Sequence, residues 1–285
     1  MGSDILAKVK IVTDSTADLP AALAAELGIE VVPLSITIDG ETYLDRIDIT
    51  PSEFMKKMKT SAELPKSSQP PPGKFVELYD RFGAEGYEVL SIHMTGGMSG
   101  TVQSAESAAK MSSAKVTVID SRFISKALSF QVTEAAKMAG EGLGLEEIID
   151  KIAKIREKTH LYVVVDTLEN LVKGGRIGKG KALIGSLLNI KPIASLEGGV
   201  YTPVTKVRSY TQVAKYLVKQ FAEDVKGRTI KGVGICHAEG LDLAMKVKEG
   251  LVELTGYENV EIEETTPIIS THTGPGAIGF MYYYD

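Results

Sequence analysis

Apolar runs alternate with amphipathic stretches through the first half of the chain. The runs KVKIVTDST, YEVLSIHM and AKVTVID are rich in buried-strand residues, and helical periodicity follows them in ADLPAALAAELG, VQSAESAAKMSS and SKALSFQVTEAAKMAGEG. Such alternation predicts right-handed crossovers and a mostly parallel sheet. We therefore predict an α/β fold whose N-terminal part is a three-layer α/β/α arrangement.

Three further stretches of this half carry local signals. TPSEFMKKMK has Thr50 as a helix N-cap, Pro51 at the first helical position and Glu53 in the first turn, which predicts a helix. IEVVPLSITID reads as a single strand. The segment AELPKSSQPPPG (62–73) contains four prolines, so we expect an extended loop without regular structure.

The pattern changes after the amphipathic stretch GLEEIIDKIAKIREKTH, which is suited to bridge two domains. IKPIASLEGGVYTPVTKVRS predicts two strands joined at a Glu-Gly-Gly turn. The stretches ALIGSLLN, YTQVAKYLVKQFAED and LDLAMKVKEGLVELTG are helical in pattern, and LYVVVDT, IKGVGICHA, VEIEETTPIIS and AIGFMYYYD read as strands. A hairpin among helices predicts a C-terminal α+β domain with a mixed sheet. We place the division at residues 1–158 and 159–285.

The most distinctive local feature is a glycine- and hydroxyl-rich turn, TGGMSGT (95–101), between a predicted strand and helix. Gly97 and Gly100 allow close approach of a ligand, and Ser99 or Thr101 stands where a helix N-terminus favours an anion. A plain helix cap explains one of these hydroxyls. The excess of glycines and hydroxyls favours a phosphate, a carboxylate or a reacting oxyanion.

A serine hydrolase is an alternative interpretation of the same turn. Ser99, a later aspartate and His272 follow the chain order of an α/β-hydrolase triad, but the Gly-x-Ser-x-Gly pattern has Thr101 in place of its last glycine. His272 lies beside a Gly-Pro-Gly turn. It is either a functional group that changes its protonation state near neutral pH or a histidine without a functional role.

Two other loops are candidates for binding. KSSQPPP places Ser67 and Ser68 on a segment that its prolines restrict, although it also reads as a simple connector. GGRIGKGKA matches the phosphate-loop pattern Gly-x-x-x-x-Gly-Lys-Ser/Thr except at its last position, where Ala182 replaces the Ser or Thr. This basic stretch is either a solvated loop or, with the apolar run after it, an interaction surface over residues 173–187 for an anionic membrane or an acidic partner.

The composition argues against several classes of protein. The 285 residues are 44% hydrophobic with a net charge of −5, which indicates an ordinary core and no basic face for nucleic acid. Cys236 is the only cysteine, and the four histidines show no ligand spacing, so neither a disulfide framework nor a metal site is expected. MGSDILAKVK lacks a signal core, and no apolar run reaches membrane-spanning length, so we expect a cytoplasmic protein.

In order along the chain, KIVTDSTADLP, SSQPPP, MTGGMSGTVQSA, VIDS, KGGRIG, KPI and HTGPGAIG together resemble the DegV family. The resemblance covers essentially the whole sequence. It implies a fatty-acid-binding protein with two domains, an apolar tunnel and the carboxylate near the domain junction. It also implies no catalysis of its own and no cofactor, because a separate ATP-dependent kinase phosphorylates the bound fatty acid and the acyl phosphate enters phospholipid synthesis.

The resemblance also implies a set of site residues. The carboxylate would meet the serines, the glycine turn and the histidine: Ser67, Ser68, Gly97, Ser99, Gly100, Thr101 and His272. Arg208 and His272 would support the phosphoryl transfer step. We expect a monomer that binds a long-chain fatty acid, a kinase subunit and, transiently, a membrane. A serine esterase using Ser99 and His272 remains the alternative, and a sugar-phosphate or nucleotide binder is a third class.

Elementary energetics agrees with this interpretation. An acyl chain gains roughly 0.8 kcal/mol for each buried CH₂ group. A carboxylate is costly to bury unless hydrogen bonds replace its water, and neutral hydroxyls or backbone N–H groups can supply these without an ion pair.

Overall fold

The computed structural model describes residues 8–185 and 190–285. Its strands are β1 Lys8–Asp14, β2 Glu30–Val32, β3 Ser35–Ile38, β4 Glu41–Leu44, β5 Lys66–Ser68, β6 Tyr87–His93, β7 Val116–Asp120, β8 Thr159–Val164, β9 Lys191–Ser195, β10 Thr202–Val207, β11 Ile230–Ala238, β12 Glu261–Glu264 and β13 Ala277–Tyr284. Its α-helices are α1 Ala21–Glu26, α2 Pro51–Thr60, α3 Pro72–Ala84, α4 Thr101–Met111, α5 Ser125–Gly140, α6 Leu145–Glu157, α7 Glu169–Lys173, α8 Tyr210–Asp224, α9 Leu241–Thr255 and α10 Pro267–Thr273.

The N-terminal half is built on a four-stranded parallel sheet in the order β2-β1-β6-β7. α3 and α4 cover one face, where the aromatic side chains of Phe75, Tyr79 and Phe82 form the core with Val12 and Val89. α5 covers the other face. The predicted parallel sheet with helices on both faces is thereby confirmed.

The C-terminal half contains a six-stranded mixed sheet in the order β10-β9-β8-β13-β11-β12. Only β11 and β12 run parallel, and the other pairs are antiparallel. α8 and α9 pack together over its outer face, around Phe221, Phe280 and Tyr282. The predicted mixed sheet is confirmed, including the β9–β10 hairpin, whose turn holds Gly198 and Gly199 at positive φ.

α5 lies between the two sheets and contacts both of them. Its buried residues include Ala127, Leu128 and Val132, which belong to a core cluster that also contains Ile11 of the first sheet and Met281 of the second. A continuous apolar core therefore joins the two halves of the chain. The cavity described below lies in this region.

A third, smaller sheet corrects two predictions. IEVVPLSITID forms two strands in different sheets, because Pro33 interrupts it between β2 and β3. The proline-rich segment 62–73 also contains regular structure, since β5 pairs antiparallel with β3 and Pro72 begins α3. The order of this sheet is β4-β3-β5.

The stretch VEIEETTPIIS was predicted as one strand, and its second half is helix. β12 ends at Glu264, Thr266 caps the next helix by accepting from the Ile268 N–H, and Pro267 is the first residue of α10. Thr50 is the N-cap of α2, as predicted, and with Glu53 it forms a capping box. Within ALIGSLLN, a 3-10 helix Gly178–Leu183 covers the start, and residues 186–189 lie outside the described residues.

A membrane span needs a helix that is both long and apolar. None of the helices within residues 8–185 and 190–285 meets both conditions.

Candidate functional site: a cavity between the sheets

A cavity lies where the small sheet, the start of α5, the six-stranded sheet and α10 meet. Most of its wall is apolar, from Leu34, Met94, Met98, Ile124, Val163, Leu171, Leu196, Tyr201, Ile268 and Ile269. Its polar lining residues are Ser67, Gln69, Ser99, Arg176, His272 and Thr273. A mostly apolar cavity with a few converging polar groups is the usual form of a small-molecule site.

Ser67 and His272 meet at this cavity from opposite halves of the chain. The Ser67 Oγ and His272 Nε2 atoms are 2.7 Å apart, within hydrogen-bond distance. β5 positions Ser67 by pairing it with Ile36 of β3, and side chains alternate along a strand, so the neighbouring Ser68 is directed away and is exposed. α10 carries His272.

His272 is held in its neutral form. Its Nδ1 atom is buried and has no hydrogen-bond partner within the described part of the chain. Burial, and then the charge of Arg176, lower the pKa of His272 from 6.5 to about 4. The ring also packs against Gly174, where a Cβ atom would overlap Nδ1. This glycine is therefore needed for the ring to occupy its place.

Arg176 is the cation whose charge acts on His272. From the sequence it was predicted only to be part of a basic surface loop. In the structure it is half-buried and lines the cavity. Its Nε donates to the Met98 carbonyl at 2.9 Å, and its Nη1 donates to the Gly174 carbonyl. Burial lowers the pKa of Arg176, and no carboxylate of residues 8–185 or 190–285 lies within 4.0 Å of the guanidinium. Its charge is available to an anion. The glycines that flank it in GGRIG are compatible with close packing, but by themselves they do not indicate burial.

The glycine turn contributes one hydroxyl to the cavity. Ser99 lines it, and its Oγ lies 2.8 Å from Thr101 Oγ1 and accepts from the Thr101 N–H at 3.2 Å. Thr101 is buried at the start of α4, where Gly100 is the N-cap. Ser99 thus reaches the cavity, and Thr101 lies behind it.

Packing accounts for the two glycines. A Cβ at Gly97 would lie 2.5 Å from the Gly199 carbonyl oxygen, and one at Gly100 would lie 2.5 Å from Oε1 of Gln69. Neither glycine is among the residues that line the cavity. The turn is small because it packs against the hairpin turn of the six-stranded sheet, where the Thr95 hydroxyl donates to Gly199 O at 2.7 Å.

Arg208 is not brought to this site. It follows β10, its side chain is exposed, and its N–H donates to Gln212 Oε1 at 2.8 Å. Tyr201, which lines the cavity, precedes the other end of the same strand. At a rise of about 3.3 Å per residue the two positions are roughly 20 Å apart.

A second cavity shares Ile124, Val163, Ile269 and Thr273 with the first. Apolar groups such as Leu161 and Met281 form most of the remaining wall. The hydroxyls that border it are directed elsewhere: Ser125 and Thr265 donate to Asp18 Oδ2 at 2.5 and 2.7 Å, and Thr273 donates to the Ile269 carbonyl. The two cavities together suit an elongated apolar group with a single polar end.

The arrangement does not form a hydrolase site on Ser99 and His272. The histidine bonds to Ser67 and not to Ser99, and its Nδ1 lacks the carboxylate that would orient a catalytic base. No cluster of three metal-ligating side chains occurs within the described residues.

A second serine–histidine pair lies inside the N-terminal half. His93 Nε2 is 2.7 Å from Ser91 Oγ, and His93 Nδ1 is 3.0 Å from Asp14 Oδ2. Tyr79 donates to the same Ser91 oxygen at 2.7 Å. All four side chains are buried and none of them lines either cavity described above, so this triad-like arrangement lies away from the candidate site.

Comparison with known proteins agrees with this architecture. The sequence matches the family described as "Uncharacterised protein, DegV family" over residues 8–285. A DegV domain-containing protein of Listeria monocytogenes is 47% identical over 279 residues, which cover 98% of this chain and 99% of that protein.

Solved structures give the same result. A fatty-acid-binding DegV family protein of Thermus thermophilus is similar with a TM-score of 0.91 and 34% identity, over 98% of this chain and 100% of that one. DegV of Bacillus subtilis, described as a fatty acid binding protein, is similar with a TM-score of 0.89 and 33% identity over the same shares. With a family match that covers nearly the whole sequence and relatives of this similarity, the chain belongs to the DegV family.

Proposed function

We propose that this protein binds one long-chain fatty acid, with the acyl chain in the two adjoining cavities and the carboxylate at Ser67, Ser99, His272 and Arg176. The observation that carries the proposal is that these four polar side chains, with Gln69 and Thr273, line a cavity whose wall is otherwise apolar. Fatty acid binding by the Thermus thermophilus and Bacillus subtilis relatives supports it.

The acyl chain and the carboxylate of the fatty acid contribute differently to the free energy of binding. Each CH₂ group taken from water contributes roughly 0.8 kcal/mol, so the chain supplies the drive for binding. The carboxylate loses its hydration, and the Ser67 hydroxyl, the Ser99 hydroxyl and the Arg176 guanidinium replace it. An arginine without a carboxylate partner of its own is suited to receive that anion.

A separate ATP-dependent kinase then phosphorylates the presented carboxylate, and the acyl phosphate enters phospholipid synthesis. In this scheme the protein has no catalytic activity of its own, acts as a cytoplasmic monomer and docks transiently with the kinase. Neutral His272 helps to stabilise the reacting carboxylate. Exposed Arg208, remote along β10, serves the transfer by holding the kinase. Arg208→Ala should abolish phosphorylation and leave fatty acid binding intact, and loss of binding would contradict this assignment.

Fatty acid exchange with the membrane is assigned to residues 173–187, of which 186 and 187 lie outside the described residues. Lys173, Lys179 and Lys181 are exposed there beside the exposed Ile184. Cations next to apolar side chains suit an anionic lipid surface. Lys179→Glu with Lys181→Glu should slow exchange with anionic vesicles and leave neutral vesicles unaffected. An unchanged rate would remove the assignment.

Native mass spectrometry of the purified protein tests the central proposal. We expect a bound mass in the fatty acid range, and weaker binding of added oleate by Ser67→Ala and Arg176→Gln. Lys206→Gln, at an exposed position of β10, is the control. Absence of bound or added fatty acid would refute the proposal. Hydrolysis of short acyl esters that Ser99→Ala abolishes would instead favour the esterase.

A further inference from the structure

The turn that follows β1, residues 14–18 with the sequence DSTAD, has no part in the site described so far. All five residues are buried, and none of them lines either of the two adjoining cavities. Buried polar side chains require partners. The partners of this turn include three segments that lead to Ser67, Ser99 and His272.

Asp14 holds the segment that leads to the glycine turn. Its Oδ2 accepts from the Met94 N–H at 2.9 Å and lies 3.0 Å from His93 Nδ1. Met94 lines the cavity, and Ser99 follows five residues later. The carboxylate therefore fixes the point at which β6 ends and the turn carrying Ser99 begins.

Ser15 holds the segment that leads to Ser67. Its Oγ accepts from the Leu34 N–H at 3.1 Å. Leu34 lines the cavity and directly precedes β3, whose Ile36 pairs with Ser67. Through this one hydrogen bond, the turn also fixes the entry of the small sheet.

Asp18 holds the helix that carries His272. It adopts a left-handed conformation with φ of 45°. Its Oδ1 accepts from the Thr266 N–H at 2.8 Å, and its Oδ2 accepts from Thr265 Oγ1 at 2.7 Å and Ser125 Oγ at 2.5 Å. Thr266 caps α10, so one carboxylate of the N-terminal half anchors the start of a C-terminal helix.

We propose that the DSTAD turn is a positioning element that sets the spacing of Ser67, Ser99 and His272, with Asp18 as the residue that connects the two halves of the chain. This inference rests on the proposed function, because the spacing matters for a carboxylate held between those groups. None of the turn residues touches the ligand in this scheme.

Asp18→Asn is the direct test, because asparagine also tolerates left-handed backbone. It replaces one acceptor oxygen by an NH₂ group and removes the charge that lies 3.9 Å from Arg46 Nη2. We expect its Kd for oleate to rise about tenfold at a temperature where it remains folded. Asp80→Asn is the matched control. Asp80 likewise accepts from a serine hydroxyl and a backbone N–H, those of Ser112 and Ser113, but it lies away from the cavities.

The NMR signals of the His272 ring nitrogens in ligand-free protein provide a second measurement. Asp18→Asn should shift them, because displacement of α10 changes the Ser67–His272 hydrogen bond, and Asp80→Asn should leave them in place. This readout separates the two proposals: if the parent protein bound no fatty acid, the proposed function would fail, and the ring signals would still test the positioning role.

Thr265→Val removes one of the three hydrogen bonds to Asp18 and should shift the His272 signals in the same way but by less. Because Thr265 also borders the second cavity, the ring signals and not the Kd are the readout for this variant. If Asp18→Asn does not fold, this variant tests the positioning role of the turn in its place. Folded variants with parental affinity and unshifted His272 signals would overturn the proposal. Equal effects of Asp80→Asn would overturn it as well.

Discussion

Two serine–histidine pairs with the same 2.7 Å separation occur in this molecule and differ in everything around them. Ser91–His93 is sealed in the N-terminal core, where Asp14 and Tyr79 complete a fully bonded network. Ser67–His272 lies at a cavity, and the histidine Nδ1 atom has no partner among the described residues. The pair that has an acid lies away from the two cavities, and the pair at the cavity has no acid beside it within residues 8–185 and 190–285.

The comparison shows how little a serine–histidine distance says about chemistry. A satisfied buried network makes a fold rigid and specific. An incompletely satisfied pair at a cavity keeps hydrogen-bonding capacity for a ligand. We therefore expect changes in the sealed pair to lower stability, and changes in the open pair to lower affinity.

The largest expected effect comes from the two histidines. His93→Ala removes the hydrogen bonds of the ring to Asp14 and Ser91 and leaves a cavity beside Phe75 in the buried core, so it should lower the free energy of unfolding by about 3–5 kcal/mol. His272→Ala should lower it by less than about 1 kcal/mol, because that ring lies at a cavity wall and gives up a single hydrogen bond. Urea unfolding at pH 7 measures both, and equal losses would contradict the distinction.

Gly174→Ala should weaken fatty acid binding on the order of a hundredfold. The added Cβ overlaps His272 Nδ1 and also approaches the Asn170 carbonyl oxygen at 2.9 Å, so the ring must leave its place beside Ser67. Gly140→Ala adds the same methyl group where nothing lies within 4 Å and serves as the control. Titration with oleate compares the two, and parental affinity in Gly174→Ala would show that the ring position is unimportant.

The pH dependence of stability should report the buried state of His272. Its folded pKa is about 4 against an ordinary 6.5, so between these values the unfolded chain binds a proton that the folded chain does not. Stability is therefore lost as pH falls from about 6.5 towards 4. Between pH 7 and pH 4.5, parent protein should lose about 2 kcal/mol more than His272→Gln. Parallel curves would place the histidine in solvent.

Local signals in the sequence predicted most elements of the fold. The corrections arise where the decisive partner is distant along the chain. Ser67 and Ser68 form a strand because Ile36 and Ser35 offer them an edge, which no proline count in residues 62–73 reveals. α10, by contrast, had a readable signal: Thr266 before Pro267 repeats the cap and first-turn proline recognised at Thr50 and Pro51.

The candidate site shows the same limit. Ser67, Ser99 and His272 stand out because their loops contain unusual glycine, proline and hydroxyl patterns, and the structure brings all three to one cavity. Arg176 was assigned to the surface because charge and neighbouring glycines alone do not indicate burial. Its place depends on the Met98 carbonyl, 78 residues away, to which it donates a hydrogen bond.

The smallest expected effects, about 1 kcal/mol each, come from the two serines, which form the most closely matched test. Ser91→Ala leaves both the Tyr79 hydroxyl and His93 Nε2 without a partner in the core, so unfolding should become easier while oleate affinity stays at the parental value. Ser67→Ala leaves His272 Nε2 facing a cavity that water or ligand can enter, so stability should hold and the Kd should rise about fivefold. Thermal unfolding and oleate titration of both variants give four values. If both variants shifted the same quantity, the distinction between a sealed pair and an open pair would be wrong.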